Sequence, residues 1–370
     1  MVRVRKGRIL ELTRDCSDLQ ELVVLVEGKK EKALSFPALS GRAEVNDEVW
    51  LNTTAVSLGL GTGGYHFVMS IIGREERDPQ SPGHIMKLRY TPWQLKVLSV
   101  EEESSPHHRA LADFSSLAGL PVAVGTLHSM VAPVVMAFRA EWARTNNRKP
   151  KIVYIMTDGA ALPIAFSQLV KELKAHDLLD LTITCGHAFG GDLEAVNVYS
   201  ALAAAKVVGD ADLIVVAMGP GIVGTGTKYG FTGVEQAYIL EAVERLGGIP
   251  VAVPRISFRD PRPRHQGLSH QTRTVLELTY AQTVMALPRL DEAKTKVLRS
   301  QLSADGIEGR HRFYLAPVLP LAEYFAGWGV ELSSMGRSYQ EDPVFFDTAG
   351  VAGAISAALA GGDLSGYLRW

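Results

Sequence analysis

Hydrophobic and polar positions along the chain follow two different rhythms. Up to about residue 100 the apolar residues come in short alternating runs rich in β-branched side chains: VRVRKGRILEL, ELVVLVEG, KALSFPAL, DEVWLN, YHFVMSII and IMKLRYTPWQLKVLSV. Alternation with a period of two places every second side chain on one face of a strand. Turn signals separate the runs, among them GKK at 28–30, Asn46-Asp47 and the glycine cluster LGLGTGG at 58–64. The pattern predicts a small β-barrel of five or six strands within residues 1–105. The charged, proline-containing segment EEESSPHHR, 101–109, reads as a linker, with a boundary near 105–118.

Beyond the linker, unbroken apolar runs alternate with amphipathic segments. PVAVGTL precedes VVMAFRAEWART, KIVYIMTD precedes IAFSQLVKELKAH, and LDLTITCG precedes EAVNVYSALAAAKVV. ADLIVVAMG leads through a long loop to VEQAYILEAVERLG, then IPVAVPRI, a second long loop and VLELTYAQTVMAL. Strands that read as continuous Val, Ile and Leu are buried on both faces, and helices between them imply a parallel sheet with right-handed crossovers. Residues 118–370 are therefore expected to form a doubly wound, Rossmann-like α/β domain. A strand at HRFYLAP and helices near LAEYFAGWG and TAGVAGAISAALAG complete it.

Composition changes this picture little. With 38 Lys and Arg against 40 Asp and Glu, and 46% hydrophobic residues, the chain reads as an ordinary soluble protein, and general polyanion binding is not supported. Cys16 and Cys185 are too few and too far apart for a disulfide framework, so a reducing cytoplasm is the expected location. Charges or glycines interrupt each apolar run, so neither a signal peptide nor a membrane span is expected.

Candidate chemistry follows from the sheet. All strands of a parallel sheet end at one edge, where ligands bind near the point at which strand order reverses. Thr126, His128 and Ser129 follow one strand, Thr157, Asp158 and Gly159 the next, and Cys185, Gly186 and His187 a third. Two later loops are much longer than such connections usually are. The first, GPGIVGTGTKYGFTGVE, holds Gly219, Gly221 and Gly224 in G-x-G-x-x-G spacing, followed by Gly226 and Lys228. It is not a dinucleotide fingerprint, because the helix is expected to begin at Thr232, with Thr232 and Glu235 as a capping box; nor does it have P-loop spacing. Its glycines still let backbone N–H groups approach a ligand, and Lys228 adds charge. A flexible surface loop or a dimer contact is the competing reading.

The second long loop begins at Arg255 and continues as RDPRPRHQGLSHQTR, 259–273, with Arg259, Arg262 and Arg264. Pro261 and Pro263 hold the arginines on a stiff extended segment. Ser269 is placed to cap a helix starting near His270, and arginine forks and a helix start both favour an oxyanion. The expected ligand is small and anionic, phosphorylated or nucleotide-like, with Asp158, His187, His265 and His270 as candidate proton carriers. The competing reading pairs the arginines with acidic residues across an interface. His265 and His270 lack a zinc spacing, and Cys185 reads as a small hydrophobe, so no metal is expected and no cofactor is assigned. ELSSMGRSYQEDPVFF, with Ser333, Ser334, Arg337 and Tyr339, is either a surface connection or a segment closing over the same edge.

With GYHFV, TDGAALP, GPGIVGTGT and DPRPRHQGLSH taken together, the chain resembles, over nearly its whole length, an uncharacterised bacterial family carried as a domain of unknown function. The resemblance implies a bacterial cytoplasmic origin and lends no activity, substrate or catalytic residue. Two functional classes stand side by side. One is an enzyme or enzyme-like protein that binds a small anionic ligand at the edge of the α/β sheet. The other is a non-catalytic sensor or assembly protein whose N-terminal barrel binds RNA or a protein partner; elsewhere in the chain nucleic acid is not an expected partner. A homodimer is the expected assembly, without membrane contact.

Overall fold

Strand alternation in the first hundred residues closes on itself. In the computed structural model, which describes residues 1–61, 63–74, 76, 78 and 82–370, the chain divides into the units Met1–Leu98 and Ser99–Trp370. In the first, β1 (Val4–Asp15), β2 (Gln20–Val26), β3 (Lys29–Ser35), β4 (Glu48–Asn52) and β5 (Tyr65–Ile71) form a closed barrel in the order β1-β2-β3-β5-β4. Ile9, Leu22, Val24, Ala33, Val49 and Leu51 point into its core. Glu27 and Gly28, both at positive φ, make the two-residue turn that a right-twisted hairpin of β2 and β3 favours. The sixth apolar segment does not join the barrel. It folds back at Thr91, whose N–H bonds to the Leu88 carbonyl, and its halves Ile85–Lys87 and Leu95–Val97 pair with each other. Thr62, inside the glycine cluster at 58–64, lies outside the described residues.

The second unit is mixed α/β, as expected. Its strands are β6 (Pro121–Gly125), β7 (Ile152–Thr157), β8 (Leu181–Cys185), β9 (Leu193–Ala195), β10 (Leu213–Met218), β11 (Ile249–Val253), β12 (Val284–Leu287), β13 (Arg312–Leu315) and β14 (Leu368–Arg369). They lie in the order β9-β8-β7-β10-β6-β11-β12-β13-β14. Neighbours are parallel except β13 and β14. Successive side chains enter two different cores: Ile152, Tyr154 and Met156 one, Val153 and Ile155 the other. The first core takes in α1 (Val131–Thr145) and α2 (Gln168–Ala175). The second takes in α3 (Val198–Val207), α4 (Gln236–Arg245), α5 (His270–Leu278) and α6 (Glu292–Ala304). Helix α7 (Leu321–Ala326) and helix α8 (Pro343–Gly361) return to the first core.

Three features differ from the sequence expectation. The segment EAVNVYS is not helical throughout: Leu193–Ala195 pairs with β8, and Asn197 caps α3 by accepting from the Tyr199 and Ser200 N–H groups. Helix α6 lies where no element was expected. Helix α8, nineteen residues long, is apolar and long enough by composition to cross a membrane, yet most of it is buried within the unit. Phe346, Ala349, Ala352 and Ile355 are in the core, and Gly353 lets α8 touch α1, since a Cβ there would stand 2.0 Å from the Val134 carbonyl oxygen.

Strand order positions the site. The first strand, β6, lies between β10 and β11, so the long loops that leave β10 and β11 straddle its end. The loops after β7 and β8 leave from the far side of β10.

Candidate functional site

Arg255, two residues beyond β11, is almost fully buried, and its guanidinium donates to Asp260 Oδ2 and Gln271 Oε1, each at 3.0 Å. Asp260, 0% exposed, also takes Arg262 through both oxygens, at 2.8 and 2.7 Å, and Arg337 at 3.5 Å. Arg337 in turn donates to Asp342 at 3.2 Å. Burial alone would raise the Asp260 pKa. The hydrogen bonds from Arg262 and the charges of Arg262 and Arg255 outweigh it and hold the carboxyl well below the usual range. The loop is thus organised around one carboxylate that the protein supplies itself.

That pairing does not exhaust the positive charge. Arg255, Arg262 and Arg337 pair with Asp260 and Asp342, and Arg264 stands beside them unpaired, so the cluster has four cations against two anions, an excess of two. Among the described residues Arg264 makes no ion pair or side-chain hydrogen bond. It lines a hollow of about 130 Å³ together with Arg255, Arg262, His265, His270, Gly224 and Gly226. Gly226 has φ +83°, and a Cβ there would sit 3.8 Å from the Arg264 guanidinium carbon, so this position needs glycine's backbone freedom.

Helix α5 opens into the same hollow. Ser269 Oγ accepts from the Gln271 N–H at 3.2 Å, as its sequence position suggests, and lies 2.7 Å from His265 Nδ1. The His265 and His270 rings are 5.1 Å apart. Burial, aided by the charges of Arg255 and Arg262, pushes the His265 pKa down to about 3; burial and then Arg264 lower that of His270. His265 is therefore neutral at pH 7 and sits in a positive field. Between pH 6.5 and 3 the unfolded chain takes up a proton that the folded His265 refuses, so stability falls as pH falls through that window. The slope it adds reaches about 1.4 kcal/mol per pH unit at most. His265→Gln is expected to flatten this loss, measured by urea unfolding at pH 7 and pH 5.

The other residues named from sequence lie elsewhere. Asp158 and His187 are neighbours, the His187 N–H donating to Asp158 Oδ2 at 2.8 Å, but neither lines the arginine hollow. Gly219 packs against the Ala161 carbonyl, where a Cβ would stand 2.4 Å away. Gly221 lines a different, larger hollow. Lys228 reaches away to Glu277 at 2.7 Å, and Arg259 is exposed and outside the lining. Of the candidates, Gly224, Gly226, Arg255, Arg262, Arg264, His265 and His270 converge.

Glu235 escaped the sequence reading as a buried acid. The proposed capping box does not form: Thr232–Glu235 is a 3₁₀ turn without a side-chain cap, and Thr232 Oγ1 accepts from the Val223 N–H at 3.2 Å. Glu235 instead accepts from Thr157 Oγ1 at the sheet edge, beside Asp158. Burial raises its pKa to about 7, with Asp158's charge adding and Thr157 opposing. A raised folded pKa gives stability that is full below pH 4.5 and lost as pH rises through 7. Glu235→Gln is expected to be more stable than the parent chain at pH 8, by about 3 kcal/mol, and not at pH 4; thermal unfolding at the two pH values checks it.

The larger hollow, about 490 Å³, opens beside the first. Residues 127–129 after β6, the start of α2, and Pro220–Ile222 line it, with the hairpin that pairs Ser333–Ser334 with Arg337–Ser338. Ile222 and Met335 border both hollows. ELSSMGRSYQEDPVFF therefore lies over the sheet edge: Met335 lines the arginine hollow and Arg337 braces Asp260. His128 engages both ring nitrogens, Nε2 with Ser167 Oγ at 2.6 Å and Nδ1 with Tyr154 Oη at 3.0 Å.

Residues 32–353 match the family described as Protein of unknown function (DUF3866). No curated protein and no solved structure matches the chain. The match takes in part of the barrel and every loop that lines the two hollows, and the chain belongs to the DUF3866 family.

Proposed function

We propose that the unit Ser99–Trp370 binds a small anionic ligand, carried by a phosphate group, at the C-terminal edge of its sheet. The observation that supports this most is the hollow itself. Three arginines, the glycine backbone at 224–226 and the start of α5 meet around about 130 Å³, and the surrounding cluster, with Arg337 included, carries two positive charges in excess. That volume is about the liquid share of four waters, which suits one tetrahedral oxyanion and not a whole nucleotide. Arginine forks match such an anion geometrically, and the N–H groups at the helix start add to the field. The sheet is read as a Rossmann-like variant in which the reversal of strand order around β6 forms the crevice. His270, which lines the hollow, is the group placed to exchange a proton with the bound anion, while His265, held neutral, serves as a hydrogen-bonding partner.

Thermal unfolding in the presence of inorganic phosphate, sulfate, small carboxylates and nucleotides tests the reading. A ligand of the folded form alone stabilises it by about 2.7 kcal/mol at a hundred times its Kd. Phosphate is expected to raise the melting temperature along a saturating curve. A flat response to all of these anions overturns the proposal.

A further inference from the structure

The two hollows share two lining side chains. Ile222, on the glycine loop, and Met335, at the tip of the Ser333–Ser338 hairpin, line both. Met335 has φ +52° and Gly336 φ +75°. A two-residue turn of this kind favours Asn or Gly at its first position, and methionine there is held in a strained conformation. Here the side chain forms the sill between the cationic hollow and its larger neighbour.

The larger hollow differs in chemistry. At about 490 Å³ it falls within the range of small-molecule sites. Among the described residues no Phe, Tyr or Trp lines it, and its one aromatic ring, that of His128, is tied through both nitrogens to Ser167 and Tyr154, which leaves little surface on which a base could stack. Its polar groups are of both kinds: Ser129, Ser333 and Gln168 donate and accept, while the carboxylates of Glu172 and Glu331 only accept. Among the described residues neither carboxylate has an ion-pair or hydrogen-bond partner. Hydroxyl groups satisfy such a mixture, since each can donate to a carboxylate and accept from a serine or amide; an ammonium group can only donate.

We infer that the ligand is a phosphomonoester of a sugar or polyol, its phosphate in the arginine hollow and its hydroxylated body across the Ile222–Met335 sill in the larger one. This rests on the anion site proposed above and adds the identity of the rest of the molecule. The charge layout suits it, with cations at one end and carboxylates at the other.

Calorimetric titration of the full chain with inorganic phosphate, glycerol 3-phosphate, ribose 5-phosphate, glucose 6-phosphate and AMP separates the two claims. At least one of the three polyol phosphates is expected to bind about tenfold more tightly than inorganic phosphate, and more tightly than AMP. Ser333→Trp, at an exposed position in the larger hollow, is expected to remove that gain while leaving the affinity for inorganic phosphate unchanged. Glu172→Ala with Glu331→Ala, also on the surface, is expected to reduce the gain without filling space. Binding of inorganic phosphate with no gain for any polyol phosphate, a gain that survives both variants, or tighter binding of AMP overturns this inference and leaves the anion site standing. No binding of inorganic phosphate or of any ester overturns both.

Discussion

Asp260→Asn is expected to lower the stability of the unit Ser99–Trp370 by about 3–5 kcal/mol, the usual cost of leaving a buried charge without its partner. Arg255 carries that charge. Its side chain is 3% exposed, and burial, only partly offset by Asp260, pushes its pKa down to about 10, so it stays cationic at pH 7. Asn offers one carbonyl where the carboxylate holds Arg255, Arg262 and Arg337 at once. Asp305→Asn is the control. It breaks a pair with Arg273 in which both side chains are partly exposed, and a cost of about 1 kcal/mol or less is expected. Urea unfolding of the two variants and the parent gives the comparison. Because the Asp260 pKa is depressed in the folded state, its contribution is present above the unfolded value of about 3.9 and is lost as pH falls below it.

Arg262→Ala together with Arg264→Ala is expected to weaken binding of inorganic phosphate by about 10²- to 10⁴-fold, since each charge-assisted hydrogen bond contributes about 1.5–3 kcal/mol. The two residues differ in what else they do. Arg264 has no partner among the described residues, so Arg264→Ala alone should change stability by less than about 0.5 kcal/mol while still weakening phosphate binding. Arg262 also holds Asp260, which keeps Arg255 and Arg337 after its loss. Arg264→Lys retains the charge but not the planar fork, and an intermediate affinity is expected. Calorimetry at two salt concentrations checks these values, because the charge component weakens with ionic strength. An unchanged affinity in the double variant places the anion elsewhere.

How much of this was legible in the sequence depends on range. Alternating runs marked the barrel strands, and unbroken Val and Ile runs marked β6, β7 and β10, because burial on one face or two leaves a local trace. The cap at Ser269 was legible for the same reason: cap and helix are adjacent. Asp158 and His187 were grouped with the arginines because all follow parallel strands. Their separation comes from strand order: β10 and its loop stand between them and the β11 loop, and nothing in a single sequence reports that order. Glu235 looked like a capping residue by spacing, and only the approach of Thr157 from β7 turns it to the sheet edge. Asp260 was visible between arginines in RDPR, but its role depends on Arg337, which a separate hairpin brings in from the far end of the chain.

The most direct measurement is the position of a heavy oxyanion. A crystal soaked in tungstate, with the metal located by its anomalous scattering, should show its strongest site among Gly224, Arg262, Arg264 and His270, with Arg264 turned onto the oxygens. A hollow that stays empty while tungstate settles on other surface cations would contradict the assignment of this loop cluster as an anion site.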